Sequence, residues 1–150
     1  EVCAATKNIY SMLIGASEGL SGDSLSDEIK NKYYLNTAAS LVYKSLSEMK
    51  KLTKKLNGKE ETVFGLAGLG DLHVSAAGGR NSKMGNYLGK GMLYKDAKEN
   101  HMKEVTVEGA ELAFQIGPKI LNDFDQSEFP LLFSMLDAIC NNKKLSIKWE

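Results

Sequence analysis

The 150-residue chain is poor in cysteine, proline, histidine and tryptophan (two, two, two and one), and neither charge is in excess, with 19 basic and 19 acidic side chains. Each scarcity excludes something. Cys3 and Cys140 sit among apolar neighbours in helix-like sequence, so there is neither a disulfide framework nor a zinc spacing, and buried thiols in a reducing compartment are expected. His73 and His101 have no companions at metal-ligand spacing, so no metal site is expected. A nucleic-acid or anionic-membrane binder usually carries a basic excess, which is absent here. The face formed by Lys50, Lys51, Lys54 and Lys55 reads as solvated helix surface. No long apolar run, signal peptide or lipidation motif occurs, which argues for a cytoplasmic location without membrane insertion. The period-two alternation of half-buried strands is missing too. So is an initiating Met: the chain opens Glu1-Val2-Cys3-Ala4-Ala5-Thr6-Lys7 and enters an apolar helix at once, as a piece of a longer protein would.

What remains is helical, and long enough for one domain with a real core. Residues 2–19 carry Val2, Ala5, Ile9, Met12, Leu13 and Ala16 at helical spacing. Ser21-Gly22-Asp23-Ser24 is turn chemistry, and Ser24 with Asp27 resembles a capping box. From there to about Leu56 runs the longest pattern, with Leu35, Ala38, Val42, Leu46, Met49, Leu52 and Leu56 on one stripe. Tyr33 to Thr37 could divide it into two helices, and Asn57-Gly58 should end it. Shorter helical pieces are expected over 59–64, 71–77, 81–88 and 94–101, then two more over 107–123 and 131–140. Gly117-Pro118 should break or kink the first of these, and Pro130 should open the second. The fold class expected from this pattern is all-α.

The chemistry concentrates around residues 65–81, where glycines stand at 65, 68, 70, 78 and 79. Each costs a helix up to about 1 kcal/mol, so glycine in this number marks positive φ or close approach to backbone. The order Gly65-x-x-Gly68-x-Gly70 follows no strand and is not the dinucleotide fingerprint. Asp71 looks buried at a helix start, where a carboxylate can satisfy free N–H groups, and Ser75 lies one turn on. Gly78-Gly79 delivers Arg80 and Asn81 to the start of another helix, an arrangement suited to an anion. Lys7 and Asn8 are conspicuous in an otherwise apolar first helix. A lysine held partly out of water suits proton transfer, although an ordinary helix lysine is simply solvated.

The motifs Glu1-Val2-Cys3-Ala4-Ala5-Thr6-Lys7-Asn8, Gly15-Ala16-Ser17-Glu18-Gly19-Leu20 and Asn36-Thr37-Ala38-Ala39 are followed by Phe64-Gly65-Leu66-Ala67-Gly68-Leu69-Gly70-Asp71-Leu72. Then come Gly79-Arg80-Asn81, Gly89-Lys90-Gly91, Val107-Glu108-Gly109 and Phe129-Pro130-Leu131. In this order, and over nearly all of the chain, they resemble the C-terminal helical domain of the NAD(P)-dependent glycerol-3-phosphate dehydrogenase family. The chain differs at Ala38, where the family usually has a basic residue, in a longer segment from Ser21 to Leu35, and in Gly78-Gly79 where a serine often leads into the Arg-Asn pair.

The resemblance implies a multi-helix bundle of the 6-phosphogluconate dehydrogenase C-terminal-domain type. Such a bundle serves as the substrate domain beside an N-terminal Rossmann domain, absent from this chain, that binds most of the NAD or NADP. Lys7 would be the acid/base at C2 of dihydroxyacetone phosphate or glycerol 3-phosphate. Asn8, Asp71 and Ser75 would line its pocket, and Arg80 and Asn81 would hold the substrate phosphate. Arg80, Thr106 and Glu108 would face the dinucleotide. Kinship also implies a homodimer, a place in glycerophospholipid synthesis, and no activity from this half alone. The rival expectation is a non-catalytic helical interaction module, in which Lys7, Asp71 and Arg80 diverge in space.

Overall fold

In a computed structural model, which describes residues 1–22 and 27–149 (side chains from 34 onward in the second group), every regular element is helical. The order is α1 (Val2–Leu20), α2 (Asp27–Lys55), a 3-10 turn (Glu60–Phe64), a π-helical turn (Leu66–Gly70), α3 (Asp71–Ala76), α4 (Arg80–Gly89), α5 (Tyr94–His101), α6 (Glu108–Asp123) and α7 (Pro130–Cys140). The proposed Ser24–Asp27 start signal lies outside the described residues. Among the described residues, no helix is long and apolar enough to cross a membrane.

α1 is the axis of the domain. It touches α2, α3, α4, α6 and α7, and from Ile9 to Ser17 every residue is buried. The sequence suggests a one-sided apolar stripe instead, and Ala5, placed on that stripe, is exposed. Small residues account for the difference. Gly15 and Gly19 on α1, and Gly85 and Gly89 on α4, are one turn apart on their respective helices. A Cβ at Gly85 would stand 1.9 Å from the Met12 carbonyl oxygen, and one at Gly89 2.2 Å from that of Ala16. A Cβ at Gly15 or Gly19 would likewise stand 2.2 Å from the carbonyl oxygen of Ser82 or Asn86. The two backbones therefore touch directly. The contact pairs advance together along both helices, so α1 and α4 run parallel, with Met12 against Gly85 and Ala16 against Gly89.

α2 continues without interruption through Tyr33–Thr37, as one helix. Its buried face is Leu41, Ser45, Glu48, Met49, Leu52 and Thr53, whereas Leu35 and Leu56 of the expected stripe are 61% and 50% exposed. The end falls where the sequence put it. Asn57 adopts a positive φ of 59°, and the N–H groups of Asn57 and Gly58 return to the carbonyls of Lys54 and Thr53 at 3.0 and 2.8 Å. This is the paired-bond stop of a Schellman motif.

Glu48 is a buried carboxylate with a structural role. Its Oε1 and Oε2 accept the N–H groups of Leu131 (2.8 Å) and Leu132 (3.0 Å) at the start of α7, and Tyr10 donates its hydroxyl to Oε2 at 3.2 Å. Pro130 opens that helix as expected, and Glu48 supplies the acceptors its first turn lacks. Burial raises the Glu48 pKa above the usual carboxylate value, against the opposing pull of those backbone bonds and the Tyr10 hydroxyl. Burial, with the neighbouring Glu48, also raises Tyr10.

Two further expectations are corrected. Of the break or kink expected at Gly117-Pro118, the break does not occur: α6 runs through Pro118 as one helix. Gly117 packs against α7, where a Cβ would lie 2.7 Å from Cys140 Sγ, so packing holds the helix together across the proline. Both cysteines are free, but only Cys3 is fully buried, Cys140 being partly so.

Candidate active site

Lys7 projects from α1 with its side chain 17% exposed. Its ammonium donates to Ser75 Oγ at 3.0 Å and lies 3.6 Å from Asp71 Oδ2. Asp71 and Ser75 are four residues apart on α3, hence on one face. Asp71 occupies the first turn, where the helix dipole favours a carboxylate. Its side chain is 44% exposed rather than buried as the sequence suggested, and its partner comes from α1. The glycine-rich stretch before it forms the π turn, closed by Gly70 N–H to the Gly65 carbonyl at 3.3 Å. Such turns recur at functional sites.

Arg80 opens α4 directly after Gly78, whose φ of 146° only glycine adopts freely, and Gly79. The first-turn N–H groups of such a helix lack partners within it and, with the dipole, suit an anion. The guanidinium, on a side chain 57% exposed, pairs with the Glu108 carboxylate at the start of α6.

Asn81 is only 6% exposed, and both ends of its amide are engaged. Oδ1 accepts the Gly109 N–H at 2.9 Å, while Nδ2 donates to Asn8 Oδ1 at 3.2 Å and to Glu108 Oε2 at 3.5 Å. One side chain from α4 thereby fixes α1 and α6 beside the cleft. The loop leading to Glu108 is fixed from the other end. The Lys98 ammonium donates to the carbonyls of Met102 (2.8 Å), Lys103 (2.9 Å) and Val105 (2.8 Å). The positioning duties of Asn81 and Lys98 were not legible in the sequence. Lys98 lies in a polar surface pattern, and only the folded loop reveals its three acceptors.

Lys7, Asn8, Ser75, Gly79, Arg80, Asn81 and Glu108 line one cleft of about 280 Å³. Asp71 stands behind Lys7 and Ser75 rather than on its wall. Thr106, exposed and two residues before Glu108, is outside the lining. The three groups expected to diverge in an interaction module instead converge. The cleft holds two cations and, on or just behind its wall, two carboxylates paired to them. It can therefore receive an anion at the Arg80 end and offer an N–H donor to an oxygen at the Lys7 end. Among the described residues, no group of three His, Cys, Asp or Glu side chains could hold a metal ion.

Residues 1–148 match the family model described as NAD-dependent glycerol-3-phosphate dehydrogenase C-terminus. An NADP(+)-dependent glycerol-3-phosphate dehydrogenase of Archaeoglobus fulgidus is 35% identical over 128 residues, which cover 82% of this chain and 36% of that protein. A glycerol-3-phosphate dehydrogenase (NAD(P)+) of Lactobacillus delbrueckii subsp. bulgaricus is 34% identical over 145 residues, 94% of this chain and 38% of its own. The crystal structure of glycerol-3-phosphate dehydrogenase from Coxiella burnetii is similar with a TM-score of 0.75 and 29% identity, over 96% of this chain and 40% of that one. The chain thus spans between 36% and 40% of the length of these relatives.

Proposed function

The chain belongs to the family of NAD-dependent glycerol-3-phosphate dehydrogenase C-terminal domains, and on that premise we propose that it is the substrate half of an enzyme interconverting dihydroxyacetone phosphate and sn-glycerol 3-phosphate. The observation that carries the reading is the single cleft shared by Lys7 and Arg80, 73 positions apart in sequence as are Asn8 and Asn81. In this reading the substrate phosphate sits at the start of α4 against Arg80, and C2 with its oxygen lies toward Lys7. Ser75 takes one N–H of the ammonium and Asp71 stands 3.6 Å away as its counter-charge, which leaves N–H donors for the substrate oxygen. During reduction Lys7 gives a proton to the C2 oxygen as negative charge develops there; during oxidation it takes that proton back. Asn8 lines the wall beside Lys7, and Asn81 fixes Asn8 and the start of α6 relative to the phosphate end.

The residues at the rim fit a dinucleotide. Arg80 has guanidinium donors beyond the one given to Glu108 to offer a phosphate, and Glu108 is a carboxylate of the kind that accepts ribose hydroxyls, with exposed Thr106 close by in sequence. Bound there, NAD or NADP supplies or accepts the hydride. The coverage of the relatives supports a Rossmann domain as the partner that holds most of that cofactor. A homodimer, a cytoplasmic location and a role in supplying glycerophospholipid synthesis belong to the same proposal. So does inactivity of this half by itself.

The test is Lys7→Ala in the full-length enzyme. Loss of the positioned acid/base should lower kcat by about 10²- to 10⁴-fold. The far-UV circular dichroism and thermal midpoint should stay near wild type. Turnover within a few-fold of wild type would overturn the assignment.

A further inference from the structure

We propose that Glu108 is a resident counter-anion on Arg80, so that a phosphate entering the cleft competes with a carboxylate already seated on the guanidinium. The inference rests on the phosphate reading of the cleft and concerns how tightly that phosphate is held.

Three features of the structure make Glu108 more than a chance surface partner. It is placed by the fold rather than by its own flexibility, standing in the first turn of α6, where the helix dipole favours its charge. Its second oxygen receives Nδ2 of the buried Asn81 at 3.5 Å, so the carboxylate is held from behind while its first oxygen faces Arg80. The backbone beside it is pinned on both sides, by Gly109 N–H to Asn81 Oδ1 at 2.9 Å and by the Lys98 ammonium at the carbonyls of Met102, Lys103 and Val105. Arg80 is anchored less firmly. Its side chain is the more exposed of the two, 57% against 39%, and its charge-assisted bond to Glu108 has to be given up or shared when a second anion arrives.

The charges of the cleft make this consequential. Lys7 already lies beside Asp71, and Arg80 beside Glu108, so an entering phosphate meets no unpaired cation on the wall. It also meets the Glu108 carboxylate at short range, and two anions sharing one guanidinium repel each other. Neutralising Glu108 removes both the competitor and the repulsion.

The experiment is titration of the chain with inorganic phosphate, followed by NMR of the Arg80 and Lys7 side-chain signals, in the wild type, Glu108→Gln, Arg80→Ala and the double variant. Glu108→Ala serves as a second replacement should the glutamine side chain re-form a bond to Arg80. The expected result is that Glu108→Gln binds phosphate roughly tenfold more tightly and that this gain disappears in the Arg80→Ala background. Unchanged or weaker binding in both Glu108 variants, with wild-type binding that depends on Arg80, would overturn the counter-anion role and leave the phosphate reading standing. A gain that persists without Arg80 would also overturn it, since Glu108 would then act only as general negative charge. No phosphate-dependent shift in any variant would overturn the phosphate reading itself, and this inference with it.

Discussion

The backbone contact between α1 and α4 makes a sharp prediction at Gly85. Replacing it with alanine in an ordinary exposed helix would stabilise the chain by about 1 kcal/mol through helix propensity. Here the new Cβ would lie 1.9 Å from the Met12 carbonyl oxygen, 2.7 Å from its carbon and 2.9 Å from its Cα. Carbon and oxygen atoms approach each other no closer than about 3.3 Å, so the helices must part by more than 1 Å at this point. All three are backbone atoms, and none belongs to a side chain that can rotate away. Overpacking costs about 1–3 kcal/mol where side chains can adjust, and the upper end applies where two backbones meet. The propensity gain offsets part of that, leaving a net loss of about 2 kcal/mol. For a domain of this size such a loss lowers the thermal midpoint by roughly 4–8 °C. Thermal unfolding followed by circular dichroism measures it, with Gly65→Ala as the control. There the Cβ would be 3.5 Å from the Thr62 carbonyl oxygen and φ is −86°, so a change within about 0.5 kcal/mol is expected. A second readout follows from the register. With α4 displaced, the Asn81 bond to the Gly109 N–H weakens, and that amide should exchange with deuterium faster. A Gly85→Ala protein at least as stable as wild type would mean that these two helices are not in backbone contact.

Two further outcomes can be checked directly. Because burial raises the Glu48 pKa in the folded state above its unfolded value, its contribution to stability is present in full below the unfolded value and is lost as pH rises through the folded one. Glu48→Gln removes this dependence and one of two acceptors for the α7 N–H groups, at a cost of about 1–3 kcal/mol. The urea midpoint of wild type should therefore exceed that of the variant most at mildly acid pH, with the gap narrowing toward neutrality; a gap that is constant or widens refutes the sign. For Arg80→Ala in the full-length enzyme, the loss of a charged phosphate contact predicts a rise in KM of about tenfold or more, with a smaller effect on kcat. An unchanged KM for the phosphorylated substrate counts against the clamp.

The sequence alone determined the all-α class, most helix limits and the residue types of the cleft. These depend on local rules: apolar spacing at 3.6 residues, Asn57 and Gly58 as a stop, Pro130 as a start, glycines ahead of Arg80. The motif order also carried the family, which the match over residues 1–148 bears out. Periodicity misjudged which faces are buried. α1 is surrounded rather than one-sided, and the inner face of α2 includes Ser45 and Glu48 while Leu35 and Leu56 lie outside. Burial is decided by neighbours brought from far along the chain, and period alone does not name them. In the same way, tertiary structure decided that Asp71 pairs with Lys7, that Asn81 ties three helices together, and that Arg80 rests on Glu108. Each of these contacts joins segments held at fixed distance by the glycine-lined packing of α1 on α4 and the seating of α3 and α6 against them. A hydrogen bond or ion pair depends on separations of a few ångströms, and only the packed backbone sets those.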